Sequence, residues 1–175
     1  MGIEMRGLVN QYNLLLGKFL AALLIIMTLL TATVVFQRYG LDQGSIFQQE
    51  LVTYLHATLF MLGASYTLKQ DEHVRVDIFY QSFNVRQKAW VNCVGHLLFL
   101  LPMSAFIGLS SLEFVQQSWL LRETSAEPGG IPAVFLLKTL IPLLSLTLFL
   151  QGLADFFQQA RVLVFDDLAE SSAQQ

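Results

Sequence analysis

The stretch FLAALLIIMTLLTATVVF, Phe19 to Phe36, runs for eighteen residues without a charge, and it decides the medium in which this chain folds. At 1.5 Å of rise per residue such a helix reaches ~27 Å, close to the ~30 Å of hydrocarbon in a bilayer. The run is longer than the roughly 7–15 apolar residues of a secretory signal and leads into Gln37, Arg38, Tyr39 and Gly40 rather than a small-residue cleavage site, so it reads as a retained helix. Composition agrees. Hydrophobic residues are 54% and charged ones 13%, with mean hydropathy +0.55, against about 25% charged in soluble domains.

Three more apolar segments follow, and the chain is expected to be an all-α integral membrane protein with four tilted transmembrane helices and short interfacial segments. One membrane domain covers residues 1–165, with spans at about 14–36, 47–68, 87–115 and 133–157, and 166–175 is a polar tail expected to be disordered. Ser45 with Gln48 forms an S-x-x-Q capping box that starts the second helix near Ile46, and Asn84 with Gln87 caps the third. The second span is the most polar, with Thr53, Tyr54, His56, Thr58, Ser65, Tyr66 and Thr67, and should face protein more than lipid. Helical pattern in the third persists to about Leu121, too long to stand upright in the bilayer, and Pro102 is the expected place for a bend. RETSAEPGGIP then breaks the helix at Pro128, Gly129, Gly130 and Pro132.

Seven of the ten Lys and Arg residues fall on the side of the two termini and the loop after the second span, and three (Arg38, Arg122, Lys138) on the other. By the positive-inside rule both termini are cytoplasmic.

Several functions are excluded on chemical grounds. Residues 1–175 leave no room for a soluble catalytic domain beside four spans, no nucleophile, base and orienter form a triad, and a net charge of −3 offers no basic patch for nucleic acid. Cys93 is alone, without a disulfide partner or a zinc-binding pattern. No catalytic residue, metal site or cofactor is expected. The one cofactor alternative is a haem-binding anchor of a respiratory complex, held by His56 and His96. Counted along their helices, the two imidazoles differ in height by ~12 Å, too far apart for axial ligands of one iron. Transport by this chain alone is also disfavoured, because charge sits at the helix ends rather than at mid-membrane.

The residues FQRYGLDQGSIFQQELVTYLHATLFMLGASYTLKQDEHVRVDIF resemble the small membrane subunit of tripartite ATP-independent periplasmic (TRAP) transporters, the DctQ type. The resemblance rests on Arg38-Tyr39 closing the first span, Glu50-Leu51 opening the second, Gly63-Ala64 near its far end and the His73-x-x-Val76-Asp77 element. The Glu127 to Pro132 loop and the Lys138 to Pro142 stretch add to it. Phe47 stands where members commonly carry Trp, so an aromatic is kept. The likeness spans roughly residues 10 to 160. It implies a multi-pass protein of a bacterial inner membrane whose partners are the lipid bilayer, a large multi-span permease subunit and a periplasmic substrate-binding protein. The permease would import an organic acid with sodium, and this subunit would brace it.

In that setting Arg38 and Glu50 are expected to pair across the short connection between the first two helices. Gly63, Ala64 and Gly108 are expected to let a partner helix approach. The segment LKQDEHVRVDIF, with His73, Arg75 and Asp77, reads as a solvated turn or as a structured turn touching the large subunit, with a proton or metal site the least favoured reading. Lys138 reads as a snorkelling anchor at the interface.

Overall fold

The computed structural model describes the backbone of residues 2–69, 80 and 82–173. It contains four long helices: α1 (Gly2–Gly40), α2 (Ile46–Lys69), α3 (Val85–Leu121) and α4 (Val134–Ala173). Each includes a segment apolar and long enough to cross a membrane, and no strand occurs among the described residues. The all-α, four-span expectation therefore holds.

Helix ends follow local chemistry. Asp42, at φ 52°, takes the left-handed conformation that a short polar side chain tolerates, and the Gln43 N–H returns to the Gln37 carbonyl at 2.9 Å to close α1. At the start of α2 half of the expected capping box forms. The Gln48 N–H donates to Ser45 Oγ at 3.4 Å, while Gln48 Oε1 has no hydrogen-bond partner. The box at α3 is complete: the Gln87 N–H donates to Asn84 Oδ1 at 2.8 Å, and the Asn84 N–H donates to Gln87 Oε1 at 3.1 Å.

Just before Pro102, where the sequence leads one to expect a bend, α3 takes one π turn over His96–Leu100, in which the Leu101 N–H reaches the His96 carbonyl five residues back. Pro102 has no N–H to give, and the wider turn meets that loss within one continuous helix. At the other end of the chain, α4 runs on to Ala173, through most of the tail expected to be disordered. No Pro or Gly follows Gly152, and Leu, Ala, Glu and Gln favour helix.

The helices stand in a row, α1–α2–α4–α3. Helix α2 touches α1 and α4, α4 touches α2 and α3, and among the described residues no extensive contact between α1 and α3 closes the ring. A single layer has little interior, and among the described residues the buried positions are confined to the α3–α4 seam: Ala89, Cys93, Ser104, Ser111, Val115, Ser118, Ser145 and Gly152. The seam is built of small residues because close helix approach, rather than the hydrophobic effect, holds helices together in lipid. Ser145 Oγ donates across it to the Ser104 carbonyl at 2.5 Å. A Cβ on Gly108 would lie 2.4 Å from Ser145 Oγ.

The α1–α2 contact uses the same device. Gly17 lies under Tyr66, whose hydroxyl would be 3.0 Å from an added Cβ, and Leu20 of α1 approaches Gly63. The hydroxyls of Thr53, Thr58 and Thr67 turn back to carbonyls four residues earlier, at 3.3, 2.7 and 2.9 Å. The polarity of these three threonines is thus met by the backbone of α2 itself, whereas the Tyr54 hydroxyl is buried without a hydrogen-bond partner among the described residues.

Candidate functional site

The loop between α3 and α4 is a folded receptor for one carboxylate on α2. It begins at Arg122, whose φ of 48° places it in the left-handed region that ends α3. Glu127, Pro128, Gly129 and Gly130 then make a type II turn: Pro at the second position, Gly129 at φ 83° at the third, and a Gly130 N–H donating to the Glu127 carbonyl at 3.0 Å. The Ser125 N–H donates to the Ile131 carbonyl at 3.2 Å and narrows the loop, and the Glu127 N–H donates to Ser125 Oγ at 3.1 Å.

This arrangement points two donors at Glu50. The Ser125 hydroxyl donates to Oε1 and the Ile131 N–H donates to Oε2 at 2.6 Å. Gly130 permits the approach, because a Cβ there would lie 2.4 Å from Ser125 Oγ and 2.6 Å from Glu50 Oε1. The result fastens the α1–α2 hairpin to the α3–α4 hairpin through residues 75 and 81 positions apart.

A second polar knot braces the loop from the α3–α4 side. Glu123 Oε2 accepts from Lys138 Nζ at 2.5 Å and from Ser118 Oγ at 2.6 Å. These two hydrogen bonds, that of Lys138 first, hold the Glu123 carboxyl below the usual carboxylate range. Lys138 Nζ also lies 3.9 Å from the centre of the Phe114 ring. Nearby, Trp119 Nε1 donates to Thr139 Oγ1 at 2.8 Å, and Arg122 lies over the Trp119 and Phe135 rings at 5.7 and 5.6 Å. Trp and a cation at a span end suit the membrane interface.

Several sequence expectations are relocated by this geometry. The Arg38–Glu50 ion pair does not form: Arg38 is exposed at the end of α1, and Glu50 is taken by Ser125 and Ile131. Lys138, expected as a snorkelling anchor, is an ion-pair partner of Glu123 within the chain. Gly63 faces α1 and Gly108 faces α4, so both serve packing inside this subunit; Ala64 is half-buried. His73, Arg75 and Asp77 lie outside the described residues. Ser118, Glu123, Ser125 and Gly130 were missed as site residues. The Pro-Gly-Gly turn signal marked their loop, but nothing local marked its partner on α2.

The two histidines weighed for haem are not brought together. His56 is exposed on α2 and stacks on Phe60 with ring centres 6.4 Å apart, while His96 Nδ1 lies 2.6 Å from the Asn92 carbonyl on α3. Helix α4 stands between their helices. Among the described residues no group of three or more His, Cys, Asp and Glu is placed to hold a metal ion.

No curated protein matches the chain. Residues 27–162 match the family described as "Tripartite ATP-independent periplasmic transporters, DctQ component", a span that holds the second and third membrane segments whole, part of the first, nearly all of the fourth, and both halves of the Glu50 clamp. The chain therefore belongs to the DctQ family, the small membrane component of TRAP transporters.

Proposed function

We propose that this subunit braces the large permease of a TRAP transporter in a bacterial inner membrane, while the permease imports an organic acid with sodium after delivery by a periplasmic binding protein. Family membership carries the reading. Two physical features support the bracing part of it. Stretches 19–37, 51–68, 89–112 and 139–154 contain no Lys, Arg, Asp or Glu, so the middle of the layer offers no formal charge to a permeating ion. A one-layer row also has two broad apolar faces, one of which can lie against another membrane protein while the other meets lipid.

Purification of the full chain in mild detergent, with mass spectrometry of what accompanies it, tests this reading. A large multi-span permease at near-equal amount is expected. A chain that purifies alone, or with haem absorbance near the Soret band, overturns it.

A further inference from the structure

The two broad faces of the row differ, and α2 makes the difference. This helix meets α1 through Gly63 and Tyr66 and is fastened to the α3–α4 loop through Glu50. Between those two contacts Gln49, Thr53, His56 and Phe60 are all exposed, spaced so that they form one stripe down a single side of the helix. From Glu50 to Ala64 no residue outside that stripe is exposed, and Leu51, Tyr54 and Thr58, across the helix, are half-buried. One face of the row therefore carries a polar stripe along its middle.

Lipid is a poor match for it. His56 lies close to the middle of the Ile46–Leu68 span. Its ring stacks on Phe60 with centres 6.4 Å apart, but among the described residues neither ring nitrogen has a hydrogen-bond partner. His96 of α3 is by contrast half-buried, with Nδ1 2.6 Å from the Asn92 carbonyl. A neutral imidazole has one donor and one acceptor to satisfy, hydrocarbon supplies no partner for either, and ionisable side chains within spans face protein or a water-filled cavity. Beside it, Thr53 gives its hydroxyl hydrogen to the Gln49 carbonyl at 3.3 Å and keeps its oxygen as an acceptor. Phe60, 67% exposed, adds an open aromatic surface one turn further along. The occupant that fits is a transmembrane helix with an uncharged polar side chain at the level of His56, since Ser, Thr, Asn and Gln bond across helix pairs in membranes whereas a formal charge at that depth is costly.

We propose that this stripe seats a transmembrane helix of the permease, which brings such a side chain to the His56 imidazole; the inference rests on the bracing reading and commits it to one face. Photo-crosslinking of the full transporter in membranes tests the contact, with Phe60 replaced by p-benzoylphenylalanine. The expected product joins this subunit to the permease. Energy transfer between labelled subunit and labelled permease in vesicles measures the bond: His56→Leu should weaken association about threefold, the usual worth of one interhelical hydrogen bond in a membrane, and His56→Gln should restore most of it. Neither variant should lower the melting temperature of the subunit alone; a drop would place His56 in the subunit's own fold and overturn the proposal. A permease that co-purifies with the unaltered chain while position 60 crosslinks to lipid only, or to a second copy of this chain, would overturn the docking face and leave bracing standing. Unweakened association of His56→Leu would do the same. A chain that never co-purifies with a permease would overturn both.

Discussion

Both oxygens of the Glu50 carboxylate are occupied, one by the Ser125 hydroxyl and one by the Ile131 N–H, so truncating this side chain orphans two donors at once. Glu50→Ala should lower the melting temperature of the detergent-solubilised chain more than Glu50→Gln, because the amide keeps an acceptor for Ile131. Gly130→Ala should be costly for a different reason: the added methyl meets Ser125 and Glu50 at 2.4 and 2.6 Å and pushes the loop off the carboxylate, at about 1–3 kcal/mol. Equal melting of the Gly130→Ala and unaltered chains would mean that the clamp does not form in the membrane protein. Glu123 adds a pH dependence with a defined sign. Its folded-state carboxyl is held below its ordinary 4.5 by Lys138 and Ser118, so its contribution is fully present above that value and is lost as pH falls through the lower, folded-state value. Melting temperatures should therefore drop on acidification below about pH 4.5 more steeply for the unaltered chain than for Glu123→Gln, with Glu123 adding no slope near neutrality.

At the scale of elements, the α3–α4 hairpin is the most tightly joined part of the molecule, and its seam is specified by residues that lack bulk. Gly108→Ala places a methyl against Ser145 Oγ and should destabilise the hairpin by about 1–3 kcal/mol. Adding Ser145→Ala should recover part of that loss. The second change removes the clashing oxygen and forfeits only the bond to the Ser104 carbonyl, and such interhelical bonds in membranes average about 0.6 kcal/mol. Strict additivity of the two substitutions in thermal melts would show that the residues do not touch. Both changes should leave association with the permease less affected than subunit stability, because Gly108 faces α4.

For the whole molecule, the row α1–α2–α4–α3 amounts to two helical hairpins buttoned at one end by Glu50. By the positive-inside rule, the seven-to-three split of Lys and Arg predicts that button on the side of the membrane away from the cytoplasm. In a Cys93→Ala background, a cysteine at exposed Ala126 should react with an impermeant thiol reagent added outside the cell, and one at Gln70 should not. Ala126 is a better probe than Ser125, whose hydroxyl is committed to Glu50. The reverse labelling would invert the topology. On the proposed bracing role this subunit supplies no ligand, so His56→Ala, His73→Ala and His96→Ala should each leave apparent sodium and substrate affinity within about threefold, ~0.65 kcal/mol. A tenfold loss in a complex that still assembles would place this chain in the transport site.

Four spans, their order, the caps at Ser45 and Asn84 and the turn at Pro128-Gly129 follow from the amino-acid sequence alone, because apolar length, short capping side chains and left-handed glycine act over a few neighbouring residues. Neighbour relations between helices do not. No span carries a one-sided apolar stripe, and even the polar residues of the second are spread around it, so periodicity gave no inner face to read, and Gly63 and Gly108 looked as fit for a partner's helix as for α1 and α4. The same limit hid the partner of Glu50. Arg38 was near in sequence and opposite in charge, yet the carboxylate took a serine hydroxyl and a backbone N–H from a loop more than seventy residues away. Only the packing of α2 against α4 brings that loop into reach, and only a glycine at 130 lets it close.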